Sequence, residues 1–205
     1  MKRIVLTVLL LFGVLFELHA ANFNMNSLSK QLCYASGKKV NTATALANKK
    51  YIALYFSASW CGPCRSFTPK LVDFYKKVGK KQRLEVILVN SDKTADAMTQ
   101  YMKSSKMKWL AIPFDDPARK AVQTSFKVRG VPTLIILDNK GKVVSADARW
   151  DVTLLGAKAV DAWKKPGYKP LTYEDSKKGS SSDDSKKAAK TKRSKSKKKS
   201  SKKSK

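Results

Sequence analysis

The stretch YFSASWCGPCRSFTP, Tyr55 to Pro69, sets two cysteines two residues apart where one kind of patterning stops and another begins. Before it, Tyr51 to Ala58 is a short apolar run rich in strand formers, as a buried strand requires. After it, Phe67, Leu71, Phe74, Tyr75 and Val78 recur at helical spacing, with Gly79 as the stop. Cys61 is thereby placed at a helix N-terminus and Cys64 one turn further on. Pro63 suits that first turn, because its fixed φ is helical and its missing N–H would be unpaired there anyway. Pro69 lies deeper in the pattern and is expected to kink the helix.

The same alternation continues. Leu84 to Asn90 (LEVILVN) reads as a second buried strand. TADAMTQYMKSSK reads as a helix with Asp92 or Thr94 as its cap, and DPARKAVQTSF as a short helix with Pro117 at its start. Thr133 to Asp138 is a strand, NKGK a turn, and Val143 to Asp147 the partner strand of a hairpin. DVTLLGAKAVDAW closes the body as one helix. Upstream, SGKKVNTATALANKK suggests a small hairpin and a helical turn. Helices alternating with buried strands argue an α/β fold: a central mixed sheet flanked by helices, with a C-terminal antiparallel hairpin and helix.

The two ends differ from this body. Residues 1–20 read as a secretory signal: Lys2 and Arg3, an apolar run from Ile4 to Phe16, and a small residue, Ala20, before the cut. The alternative is an uncleaved anchor, but the run is short of the roughly 20 apolar residues a membrane span needs. An extracytoplasmic location follows: periplasm or medium, or a secretory lumen in a eukaryote. Residues 176–205 carry 14 Lys or Arg against two Asp and contain no aromatic residue, Val, Ile or Leu. Such a segment cannot offset the entropy of ordering and is expected to be a disordered tail. The chain has a net charge of +28, and the body, residues 21–175, is basic even without its tail. Lys-rich, Ser-spaced tails bind polyanions through counterion release, without sequence preference where no aromatic side chain stacks. The alternative is a solubilising tail with no dedicated partner.

The single histidine, His19, falls in the signal. The exported chain then has no imidazole, which excludes Cys-His and Ser-His nucleophile pairs and His metal ligands. Three readings of the Cys pair remain. Structural zinc sites use four Cys or His ligands, and three thiols do not supply them. A structural staple across two residues closes too small a loop to stabilise much. A redox pair fits the strand-to-helix junction, because unpaired N–H groups and the helix dipole there favour a thiolate. On that reading Cys61 attacks a substrate disulfide and Cys64 resolves the mixed disulfide. Gly62 leaves the approach to the sulfur open. Trp60 either covers the site as a flat apolar wall or packs in the core. No metal and no cofactor are expected. Cys33, the third thiol, reads as a small buried apolar residue, or as a partner-pairing thiol in an oxidising compartment.

WCGPCRSFTP resembles the thioredoxin active-site signature, and VRGVPT resembles the segment of that superfamily whose cis-proline faces the Cys pair. The resemblance implies a thioredoxin-like fold, with Val131–Pro132 as the cis bond. YIALYFSASWCGPCRSFTPKLVDFY, then SDK, then YMKSSKMKWLAIPFDD, is similar to the tryparedoxin and nucleoredoxin branch. The chain departs from tryparedoxins in having Gly-Pro between the cysteines rather than Pro-Pro, and in its signal, so the trypanothione system is not implied. Thioredoxins also place an Asp six residues before the first Cys, where this chain has Tyr55. A proton acceptor for Cys64 must then be something else, such as water or Asp92. Arg129, near Pro132, reads either as a charge that favours thiolates or acidic substrates or as a solvated side chain.

The expectation is an exported, monomeric thiol–disulfide oxidoreductase that reduces protein disulfides and is recharged by a membrane or soluble dithiol donor. Gly-Pro between the cysteines resembles the reducing members. The alternatives are a net oxidase or isomerase of secreted proteins, and a polyanion-binding protein with a vestigial Cys pair.

Overall fold

The computed structural model describes residues 22–177, so the signal and the tail from residue 178 lie outside the described residues. Two seven-residue runs, both buried along their whole length, form its centre: β3 (Tyr51–Ser57) and β4 (Leu84–Asn90). They pair in parallel. Parallel strands covered on both faces read as continuous apolar runs, which is why the sequence shows them so clearly.

The remaining strands are shorter: β1 (Gln31–Cys33), β2 (Lys39–Asn41), β5 (Leu110–Ala111), β6 (Thr133–Asp138) and β7 (Val143–Ser145). The sheet order is β2-β1-β5-β4-β3-β6-β7. β4 and β5 are parallel, while β6 and β7 extend the sheet antiparallel beyond β3, and β1 and β2 beyond β5. The mixed α/β sheet is the expected one. β1 and β5 were not foreseen, because two or three residues carry too little alternation to read. β7 ends at Ser145, two residues short of the expected Asp147.

The period-2 alternation of β3 divides the core. Ala53 and Tyr55 face one layer, with Phe67, Leu71, Phe74 and Trp163. Ile52, Leu54 and Phe56 face the other, with Ile87, Val89 and Val122. The helices are α1 (Thr42–Leu46), α2 (Gly62–Val78), α3 (Ala95–Ser104), α4 (Ala118–Ser125), α5 (Arg149–Leu155) and α6 (Ala159–Trp163). α2 lies on the first layer through Phe67, Leu71, Phe74 and Val78, and α4 on the second through Val122. α2 continues through Pro69 as one element.

Gly79 ends α2, though not by a left-handed turn: its φ is −50°. A Cβ there would lie 2.8 Å from Tyr75 O and 2.9 Å from Tyr75 Cε2, so close approach is what demands glycine. The expected single closing helix is two. Gly156, at φ 53°, ends α5, and a 3₁₀ turn over Gly156–Lys158 leads into α6. Thr94 caps α3 through its side chain, so the capping alternative for Asp92 is wrong. A helical turn over residues 173–177 carries the described chain past the expected tail boundary at Asp175. No described helix is long and apolar enough to cross a membrane.

Candidate functional site

β3 ends at Ser57, and the next four residues make the turn that delivers Cys61 to the head of α2. That turn is held by its neighbour strand. Asp92, buried just beyond β4, accepts hydrogen bonds from Ser59 N at 2.8 Å and from Ser59 Oγ at 2.7 Å. Its other oxygen accepts from Asn90 Nδ2 at 2.8 Å, and Asn90 Oδ1 accepts from Asp92 N in return. Ser91 N donates to Ser57 O, and Trp60 Nε1 donates to Ser91 O at 3.3 Å. Asp92 therefore has a job other than capping: it pins the loop that carries Trp60 and Cys61. Ser59 and Asn90 were not singled out in the sequence, and polar residues at strand ends give no signal of this kind. Trp60 is 62% exposed, so it is a wall beside the site and not core packing.

Cys61 is the N-cap of α2, and the Cys64 N–H points at its sulfur from 3.1 Å. The two cysteines are joined by a disulfide, with Cα atoms 5.2 Å apart. Cys64 has no exposed surface and Cys61 keeps 5%, so the first cysteine is the more accessible, though less open than expected. Ala58 and Val131 pack around the pair. Val131 O stands 3.5 Å from Cys61 Sγ, and the Val131–Pro132 bond is cis. Gly62 and Pro63 are exposed, and a Cβ on Gly62 would meet nothing within 4 Å. A side chain there would stand in open space beside the sulfur. Once the disulfide is reduced, the helix N-terminus and the Cys64 N–H both favour the thiolate of Cys61.

Beneath Cys64 the chain substitutes hydroxyls for a carboxylate. Tyr55 OH lies 2.8 Å from Thr68 Oγ1, which donates to Cys64 O at 2.8 Å. Tyr101 OH links Thr68 Oγ1 to Ser57 Oγ, each at 2.8 Å. Burial pushes the Tyr55 phenol far above its ordinary range, so it stays neutral and fixes position without accepting a proton. Arg129 is exposed, as a solvated charge would be. Cys33 is a free, buried thiol on β1, with Sγ 3.6 Å from Ala111 O. Burial raises its pKa, with nearby Lys39 pulling the other way. Among the described residues, no group of three His, Cys, Asp or Glu is placed to hold a metal ion.

With this geometry, the family model described as "Thioredoxin-like" matches residues 48–143. Probable nucleoredoxin 1 of Arabidopsis thaliana is 40% identical over 124 residues, 60% of this chain and 21% of that protein. The chain spans only 21% of that protein's length, and 35% of that of probable nucleoredoxin 3 of the same plant. The crystal structure of a thioredoxin from Wuchereria bancrofti has a TM-score of 0.59 at 35% identity, covering 65% of this chain and 90% of that one. Tryparedoxin from Trypanosoma brucei has a TM-score of 0.59 at 34% identity, covering 66% of this chain and 92% of that one.

Proposed function

The chain belongs to the thioredoxin superfamily, in its tryparedoxin and nucleoredoxin-like branch, and on that premise we propose that it is a thiol–disulfide oxidoreductase that reduces protein disulfides. The Cys61 thiolate attacks one sulfur of a substrate disulfide; a mixed disulfide forms and the other substrate sulfur leaves as a thiolate. Cys64 gives up its proton to water or to the departing substrate thiolate and then attacks Cys61 Sγ. The Cys61–Cys64 disulfide forms and the second substrate thiol is released. Two electrons pass from the Cys pair to the substrate, and a dithiol donor, soluble or in a membrane, returns them.

The observation that carries this reading is the placement of Cys61 as the N-cap of α2 with the Cys64 N–H on its sulfur. Trp60 and the Val131 carbonyl frame the sulfur for an extended segment of the substrate. The direction, reduction, rests on Gly62-Pro63 between the cysteines. Export rests on the apolar run Ile4–Phe16, and action as a monomer completes the reading. The Lys-rich tail adds non-specific attachment to polyanions. Reduction of insulin disulfides by the full chain, recharged with dithiothreitol, tests the activity. A preparation that turns over no faster than its Cys61→Ser variant refutes it. The N-terminal residue of the exported chain, read by mass spectrometry, tests the signal.

A further inference from the structure

The end of the sheet remote from the Cys pair carries a groove that the redox chemistry does not use. Tyr51, the first residue of β3, pairs there with Asp138, the last of β6. Cys61 and Pro132 adjoin the other ends of the same two strands, about 20 Å away at about 3.3 Å per residue. The groove has a volume of about 640 Å³, within the range of small-molecule sites.

Its wall is built rigidly. Asp151 is fully buried, and its carboxylate accepts four hydrogen bonds: from Trp163 Nε1 at 2.9 Å, Tyr168 OH at 2.6 Å, Leu171 N at 2.9 Å and Ser145 Oγ at 2.9 Å. Trp163 and Tyr168 line the groove, so one buried charge fixes the segment between them. The rim is basic. Lys50, Lys142, Lys164 and Lys165 line it against one carboxylate, Asp138, whose Oδ1 already accepts the Lys140 and Lys142 N–H groups. Lys164 is paired with Asp161. Among the described residues, no ion pair engages Lys50, Lys142 or Lys165. Beside these charges stands an apolar lip: Val143, 44% exposed, with Val144 and Pro166.

We propose that this groove binds a small organic anion that carries two or more phosphate-type charges on an apolar or aromatic body of about nucleotide size. Three lysines that line one concavity and, among the described residues, have no carboxylate partner favour concentrated negative charge. The exposed valine and proline give the body of the ligand an apolar surface to cover. The site would bind its ligand without obstructing Cys61.

The test is amide chemical-shift mapping on the full chain, with adenosine triphosphate, inorganic tripolyphosphate and adenosine as probes. The nucleotide is expected to give saturable shifts at Lys50, Val143, Val144 and Gly167, and to bind at least tenfold tighter than either tripolyphosphate or adenosine. A Lys50→Ala/Lys142→Ala/Lys165→Ala variant should weaken that binding at least tenfold with an unchanged circular dichroism spectrum. Val143→Glu, at an exposed position, should weaken it by itself and serves if the triple variant unfolds. Shifts confined to the Lys-rich tail, equal binding of nucleotide and tripolyphosphate, or undiminished binding by the folded variants would overturn the proposal.

Discussion

Cys33 and Cys61 are almost equally covered, at 7% and 5% exposed, and each sulfur faces a carbonyl oxygen, yet only Cys61 has an N–H donor as well. Cys33 sits on β1 with a carbonyl oxygen, Ala111 O, as its polar neighbour. An acceptor there favours the protonated thiol, and burial raises the pKa further. Cys61 heads a 17-residue helix, and an N–H group, from Cys64, points at its sulfur. Val131 O, at 3.5 Å, acts on it as Ala111 O acts on Cys33, but the Cys64 N–H is nearer, at 3.1 Å, and with the helix dipole it favours the thiolate. Exposed area therefore does not separate the two thiols. The N–H donor and the helix N-terminus, present at Cys61 alone, do.

The strongest way to break this contrast is to remove each sulfur in turn. Cys61→Ser should lower insulin reduction at least about a hundredfold, since the residual hydroxyl is a far weaker nucleophile. Cys64→Ser should instead accumulate mixed disulfides with substrate, visible on non-reducing gels. If Cys33→Ala cost as much activity as Cys61→Ser, the two environments would not differ in function.

Next comes the support of the reactive end. Asp92→Ala leaves Ser59 N–H and the Asn90 amide without their acceptor and should cost about 2–3 kcal/mol in urea unfolding. Turnover should fall along with it, because Trp60 and Cys61 ride on that loop. Unchanged turnover in the folded variant would mean that the α2 N-terminus alone aligns the site.

Tyr55 extends the Cys33 rule to a second buried acid. Its phenol stays protonated in the fold well above the pH at which an unfolded tyrosine ionises, near about 10. The folded state then holds the extra proton, so stability is fully present below about pH 10 and falls as pH rises beyond it. The slope from this one residue is about 1.4 kcal/mol per pH unit. Tyr55→Phe should shallow the fall by that amount; an unaltered slope would show that Tyr55 ionises in the fold as it does unfolded.

The smallest effect is expected at Cys33 itself. Cys33→Ala removes one small buried side chain and should cost about 1 kcal/mol or less, with insulin reduction unchanged.

The legible parts of the sequence were those whose pattern is long or chemically specific. β3, β4 and β6 stood out as uninterrupted apolar runs, and α2 through Phe67, Leu71, Phe74 and Val78. The junction carrying Cys61 and Cys64 followed from those two patterns meeting. β1 and β5 did not show, since Gln31–Cys33 and Leu110–Ala111 are too short for periodicity and depend on pairing partners far along the chain. Gly156 was hidden within an apolar, helix-spaced segment, where only the backbone turn reveals the break. The role of Asp92 was hidden for another reason. One partner, Asn90, closes β4 two residues away, but the other, Ser59, lies on a turn that only the β3–β4 pairing brings beside Asp92.

The contrast between the thiols is tested most directly by alkylating the reduced full chain with iodoacetamide across pH and following each cysteine by mass spectrometry. Cys61 should be labelled first at neutral pH, with a midpoint below the roughly 8.5 of a free cysteine, and Cys33 at least about a hundredfold more slowly. Labelling of Cys64 ahead of Cys61, or of Cys33 at the rate of Cys61, would contradict the account.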